Sequence, residues 1–215
     1  MIWINYFFTF NIPFYIYKLK SGDSIIHKSQ YSKSHTIIIL HGIVYLVQVF
    51  SNNETIPISI MSKNNILDIN NYKISSKSYY KVTALKDTYL LNFCSKKVKE
   101  SNHKYYILKY LLKSYQLTLY NQENIRYILC HKTTKYRIIQ LIIILSLQFG
   151  IIEKNLIKIP FKVKKTDISL ITGSNISNVN KIVKILEINN IIKYSNSKLY
   201  LNKNKLIINL IQLLN

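Results

Sequence analysis

From Tyr15 to Phe93 the chain runs in short β-rich stretches broken by turn residues. YIYKL stops at Ser21-Gly22-Asp23, SIIHK gives way to SQYSKSH, TIIIL stops at His41-Gly42, IVYLVQVF stops at Ser51-Asn52-Asn53, and TIPISIM follows. Beyond the poorly periodic segment NNILDINNYKISSKSYY, Asn64 to Tyr80, come YYKVTAL, a turn at Lys86-Asp87, and TYLLNF. Short strands at nearly even spacing, with Gly, Asn and Asp between them, predict a β-barrel or roll. Gly22 and Gly42 fall where turns need positive φ. The segment 64–80 reads as a loop or short helix that either lines a ligand pocket or simply connects two strands.

Between Ser101 and Cys130 the period changes. There is no Gly or Pro, and Leu108, Leu111, Tyr115, Thr118, Gln122, Ile125 and Leu129 recur at alternating steps of 3 and 4. That is an a/d seam on one long helix, predicting either a two-fold dimer interface or a helix packed on its own barrel. The polar seam positions Thr118 and Gln122 need partners, from across a dimer or from a ligand. Glu123 beside them is the only acidic residue between Glu100 and Glu153.

The last 85 residues carry a compact pattern. KYRIIQLIIILSLQFG, Lys135 to Gly150, reads as a buried helix stopped by Gly150, and LIKIPF as a short strand. In TDISLITGSNISNVNKIVKILEINNIIKY, Ile168 and Ile171 mark the inner face of a short helix and Gly173 a tight turn. Ser174 or Asn175 caps a second helix with Val179, Ile182, Val183 and Leu186 inside. Helix, glycine turn and helix are the parts of a helix-turn-helix. Its polar face holds Asn175, Ser177, Asn178, Asn180, Lys181 and Lys184, residue types that reach base edges and phosphates. IIKYSNSKLYL then forms two strands about Ser195-Asn196-Ser197, a wing that places Lys193 and Lys198 beside a DNA backbone.

Composition narrows the function. The 215 residues hold 30 Lys plus Arg against 9 Asp plus Glu, a net charge of +21, with 48% hydrophobic residues. The chain therefore has the means to fold, unlike a disordered basic tail. Residues 131–215 carry 14 basic and 3 acidic side chains, over half the net charge, which is the electrostatic footprint of a polyanion partner. Lys, Asn, Ile and Tyr have AT-rich codons, so part of the lysine excess reflects the genome. Two cysteines make no disulfide framework and four glycines leave no phosphate-cradling loop. The histidines are scattered and the acidic residues dispersed, so neither a metal site nor a carboxylate pair is expected, and the chain reads as a non-enzyme. The apolar start MIWINYFFTFNIPFYIYKL lacks a basic n-region and a cleavage site, and IIQLIIILSLQF is too short to span a bilayer. A protein with no membrane span and no address label is expected.

Roll, long helix, then helix, strand, helix-turn-helix and wing: this order resembles the Crp/Fnr family of transcriptional regulators over nearly the whole chain. YKLKSGDSII and ILHGIVYLVQVF resemble the family's first roll strands, and the Gly173-Ser174 turn is the most specific local match. CHKTTKYRIIQLIIILSLQFG and the stretch IPFKVKKTDISLITGSNISNVNKIVKILEINNIIKYSNSKLYL look most like the family's global nitrogen regulators of cyanobacteria and red-algal plastids. The resemblance implies an α+β fold: an N-terminal β-roll of the cyclic-nucleotide-binding kind (double-stranded β-helix), residues 1–100; a long dimerisation helix, 101–130; and a C-terminal winged helix-turn-helix, 131–215. It also implies a homodimer on double-stranded DNA that recruits a bacterial-type RNA polymerase. The location implied is a plastid stroma, with the gene in the organelle.

Two departures matter. Where the family's recognition helix commonly has an Arg, this chain has Ile176, while a second basic position is kept as Lys181. The Gly-Glu and Arg of cyclic-nucleotide pockets are missing from 64–80, which disfavours cyclic AMP. The nitrogen regulators bind 2-oxoglutarate through an Arg of the pocket segment and an Arg and Glu of the long helix. Here Glu123 matches the last, the helix Arg falls at Thr118 and the pocket Arg near Lys77 or Ser78, with Gln122 alongside. The effector-type residues are therefore Lys77, Ser78, Thr118, Gln122 and Glu123, and the DNA-type residues run from Ser174 to Lys198. The competing reading is a structural RNA-binding or ribosome-associated basic protein.

Overall fold

The computed structural model describes residues 2–27, 35–67, 78–101 and 104–205. The chain divides into two compact units, Met1–Ile125 and Arg126–Asn215.

In the first unit an antiparallel sheet is built on two long strands. They are β3 (His35–Phe50) and β6 (Ser78–Cys94), with β1 (Phe14–Leu19) and β2 (Ser24–His27) paired to β6, and β4 (Thr55–Ser62) and β5 (Ile66–Leu67) paired to β3. The interior holds Ile39, Val44, Leu46, Met61, Leu67, Val82 and Leu90. Residues 68–77 of the predicted connecting segment, Lys77 among them, lie outside the described residues.

Two expected turns are corrected. His41-Gly42 and Lys86-Asp87 do not end strands: β3 and β6 run straight through both, and the pairing register shifts between Ile39 and Val44. Gly42 has φ 103°, and a Cβ there would collide with Thr88 and lie 2.6 Å from the Asp87 carbonyl oxygen. The fully buried Thr88 fills this bulge, its hydroxyl accepting from the Ile43 amide at 3.2 Å and donating to the Lys86 carbonyl at 2.7 Å. Turn-type residues inside a long strand thus mark bulges, which bend a sheet without ending it.

The aromatic N-terminal run, to which the sequence assigned no element, is α1 (Ile2–Thr9). It inserts Trp3 and Phe7 into a second cluster with Ile12, Phe93, Val98, Ile107 and Leu111. The long helix is α3 (Lys104–Cys130), preceded by α2 (Ser95–Glu100). Its buried face is Ile107, Leu111, Ser114, Thr118, Asn121 and Ile125. The predicted seam therefore mixes two faces: Leu111, Thr118 and Ile125 turn inward, whereas Leu108 is exposed. Both rows obey the same 3–4 spacing, and a buried Ser and Asn hid the true inner one.

The second unit comprises α4 (Thr134–Phe149), the hairpin β7 (Ile151–Glu153) and β8 (Leu156–Lys158), α5 (Lys165–Thr172), α6 (Ile176–Ile188), β9 (Ile192–Ser195) and β10 (Lys198–Asn202). The strands form one sheet in the order β7-β8-β10-β9. Strand β7 was not foreseen. Among the described residues no helix is long and apolar enough to cross a membrane.

Trp3, the only tryptophan, reports the first unit. Gly42→Ala should destabilise that unit by about 3 kcal/mol, through a left-handed backbone and a backbone collision together. Gly173→Ala has φ 57° but only ordinary contacts to meet, and should cost the second unit about 1 kcal/mol. Urea unfolding followed by Trp3 fluorescence should move markedly for Gly42→Ala and stay in place for Gly173→Ala.

Candidate nucleic-acid interface

Helix α5 begins where the Asp167 carboxylate accepts the Lys164 backbone amide at 2.9 Å. It ends at Gly173 in a left-handed closure, with the Ser174 amide donating back to the Ser169 carbonyl at 2.9 Å; glycine takes this conformation without a Cβ penalty. Arg137 braces the end from α4, its Nη1 3.5 Å from the Thr172 carbonyl oxygen while its Nε donates to that of His131 at 2.8 Å. Asn175 caps α6, its side-chain oxygen accepting from the Ser177 amide at 3.0 Å and from the Ser177 hydroxyl at 3.1 Å.

From this cap the helix runs with Val179, Val183 and Leu186 buried. At 100° per residue Ser177, Lys181 and Lys184 form the row opposite that stripe, and Asn178 and Asn180 flank it on either side. All five are exposed, as is Ile176. Ser174 differs: it is half-buried and its hydroxyl turns back to the Thr172 carbonyl at 3.3 Å, so it builds the turn.

The wing is a two-residue hairpin closed by Asn196 and Ser197 at φ 51° and 62°, the pair of positive φ values that a type I′ turn demands. The register puts Ser195 opposite Lys198, and Tyr200 opposite both Lys193 and Lys158. Directly paired residues share a sheet face, so one face of the wing collects Lys158, Lys193 and Lys198, while Ile192, Leu199 and Leu201 close the other against the core. Tyr194 locks β9 in place: its hydroxyl donates to the Val163 carbonyl at 2.8 Å, and its amide donates to the Glu187 carboxylate at 3.0 Å. Burial raises the Tyr194 phenol above its ordinary pKa.

Every acidic side chain of residues 131–215 is occupied locally. Glu153 pairs with Lys158 at 3.0 Å and raises that ammonium's pKa, Asp167 takes the Lys164 amide, and Glu187 takes the Tyr194 amide. None lies in the Ser177–Lys184 row, so no carboxylate there offsets its charge. Sequence reasoning passed over Lys158, Lys162, Lys164 and Lys165. The run KVKK before α5 was the available signal; Lys165 lies 5.4 Å over the Tyr194 ring, and Lys162 and Lys164 are exposed.

No protein-family model matches the chain. It is 25% identical over 192 residues to ycf28 of Porphyra purpurea, named as an HTH-type transcriptional regulator, covering 86% of this chain and 76% of that protein. Among solved structures, a CRP-family transcriptional regulator of Thermus thermophilus, TTHB099, superposes with a TM-score of 0.72 at 13% identity over 88% of this chain and 94% of that one. The c-di-GMP responsive global regulator CLP of Xanthomonas campestris also gives 0.72, at 10% identity, over 93% and 97%. The chain has the Crp/Fnr regulator fold. The predicted α+β roll, long helix and winged helix-turn-helix agree with it.

Of the effector-type residues, Lys77 lies outside the described residues, Ser78 is on β6, and Thr118, Gln122 and Glu123 are on α3. Ser78 opens β6, nearly buried, and accepts from the Gln48 side-chain amide at 3.1 Å. Thr118 lies on the inner face of α3 with its hydroxyl already engaged: it accepts the Ile66 amide at 2.9 Å and donates to the Ser114 carbonyl at 2.9 Å. Glu123 is exposed and Gln122 half-buried on the same helix. Among the described residues no three His, Cys, Asp or Glu side chains are grouped to hold a metal.

Removing the α6 cap gives a local test. Asn175→Ala should destabilise the second unit by about 1 kcal/mol. Amide exchange at Ser177 and Val179 should quicken first, because the side chain satisfies the start of that helix.

Proposed function

We propose that the chain is a homodimeric, sequence-specific DNA-binding transcription regulator of the Crp/Fnr type that recruits a bacterial-type RNA polymerase. One observation carries the DNA-binding part: the exposed row Ser177, Lys181 and Lys184, flanked by Asn178 and Asn180 and followed by the wing lysines, in a unit whose acidic groups are committed elsewhere. Lysines attract phosphates as point charges, and asparagines are the type that pairs with adenine in the major groove. The row sits on a helix opened by a capped glycine turn, the geometry that presents a helix N-terminus to a groove.

The outer face of α3 supports the dimer. Leu108, Leu112 and Leu119 are 41%, 60% and 57% exposed, and with Tyr115, Gln122 and Arg126 they recur at steps of 4 and 3. An apolar ridge of that period on a helix is what a two-fold helix pair buries. The finer reading is a global nitrogen regulator acting in a plastid, with a degenerate 2-oxoglutarate pocket. The AT-rich codon bias and the similarity to the Porphyra purpurea protein support the plastid. Degeneracy is supported by Thr118, whose hydroxyl is already engaged, and by the placement of Thr118 and Glu123 on different faces of α3.

Gel-shift titration over promoter fragments tests the regulator reading. One fragment should survive competitor DNA, and affinity should fall steeply with salt. Lys181→Ala should weaken every fragment alike and lower the salt slope by about 1. Added 2-oxoglutarate should leave binding unchanged. If no fragment outcompetes bulk DNA, general polyanion binding remains, as in an RNA-associated protein.

The dimer has its own test. The double variant Leu112→Lys and Leu119→Lys should sediment as a monomer, with Trp3 fluorescence unaltered, where the native chain sediments as a dimer.

A further inference from the structure

We propose that the first unit holds a ligand site for a medium-chain carboxylate, an apolar tail with a single anionic head, in a cavity between the end of β6, α2 and the first turns of α3. The cavity measures about 370 Å³, within the range of small-molecule pockets. Its floor is Phe93, Val98 and Leu111, all buried, with the Phe93 ring braced by Phe7 at 4.8 Å. Leu108 and Leu112 stand at the mouth and are exposed in the single chain.

The lining chooses the chemistry. Lys99 is its one charged side chain. On the same short helix Lys97 and Glu100 pair with each other at 3.0 Å, so the nearest carboxylate in sequence is already matched to another lysine. An anionic head therefore gains at Lys99, whereas a cationic head meets the excess lysine of α2. The apolar floor disfavours a nucleotide or a small dicarboxylate, whose polar groups would be buried without partners. A long apolar tail gains by covering that floor and the wet leucines at the mouth, since burial of apolar surface is what drives such binding.

The walls Leu108, Leu111, Leu112 and Tyr115 belong to α3. Occupancy therefore covers Leu108 and Leu112, part of the ridge offered to a second copy, and the ligand opposes dimerisation. This last clause rests on the proposed dimer; the ligand site itself does not.

Calorimetry on the full chain decides the site, with decanoate, decanol and decyltrimethylammonium as probes and wild type beside Lys99→Glu. Decanoate should bind saturably, one per chain, and tighter than either other probe. The exposed lysine's contribution predicts about fivefold weaker decanoate binding in Lys99→Glu, with decanol unchanged. Circular dichroism should show both proteins equally folded. Absence of saturation, or equal decanoate affinity in the two proteins, overturns the site. Where the chain is dimeric decanoate should bind more weakly, because a second copy covers the same leucines and the coupling is reciprocal. Sedimentation with and without decanoate tests the coupling, and an unmoved dimer constant overturns that clause alone. Gel-shift results bear on neither outcome, so failure of this site and failure of the regulator reading are distinguishable.

Discussion

Thr118 takes the Ile66 amide at 2.9 Å and gives its own proton to the Ser114 carbonyl. Beside it the fully buried Asn65 accepts from the Ser62 amide at 2.7 Å and from the Asn121 side chain at 3.1 Å. A helix whose inner face was all leucine could turn by tens of degrees and repack at small cost. This one cannot, because rotation would strand several buried polar groups at about 1–3 kcal/mol each. The hydrogen bonds, more than the apolar contacts around them, therefore set the phase of α3. With that phase set, Ile107, Leu111 and Ile125 are buried and Leu108, Leu112 and Leu119 are exposed. The apolar outer ridge and the mouth of the α2–α3 cavity follow from a hydroxyl that packs against a turn some fifty residues away in sequence.

The same network explains what the sequence could and could not reveal. The second unit was readable because its signals are local: Gly173 with its left-handed closure, the Asn175 cap, the Val179–Val183–Leu186 stripe and the Asn196-Ser197 hairpin all act within a few residues. The long helix was readable as a helix, but its phase was not. Rows through Leu111, Thr118 and Ile125 can be completed by Ser114 and Asn121 or by Tyr115 and Gln122, and hydrophobicity favours the wrong choice. Only the partners in 62–66 make Ser114, Thr118 and Asn121 acceptable inside, and no spacing rule announces them. The bulge at Gly42 failed for a related reason. Glycine signals a required backbone conformation, yet whether that ends a strand or kinks it depends on Thr88, on a strand it meets only in the fold.

Charge behaved differently. The lysine excess was plain from composition, but composition could not separate codon bias from function. The structure sorts the lysines by their surroundings. Lys97 and Lys158 are matched by Glu100 and Glu153, and Lys165 lies over an aromatic ring. Lys181 and Lys184 stand in a row from which the unit's acidic groups are absent.

That row has a consequence for how sequence could be read. Lysine is a flexible, strongly hydrated point charge, whereas the arginine fork fixes two bonds to one guanine edge. With Ile176 where the resemblance expects an arginine, the α6 surface has no forked donor. In the proposed regulator, phosphate contacts from Lys181, Lys184 and the wing would then supply affinity with little sequence information, and discrimination would fall to Asn178, Asn180 and Ser177, short side chains that must be held close to a base edge to act. The Gly173 closure and the Asn175 cap fix where the helix that carries them begins. On the proposed reading, selectivity among DNA sites therefore depends on the stability of a single helix terminus.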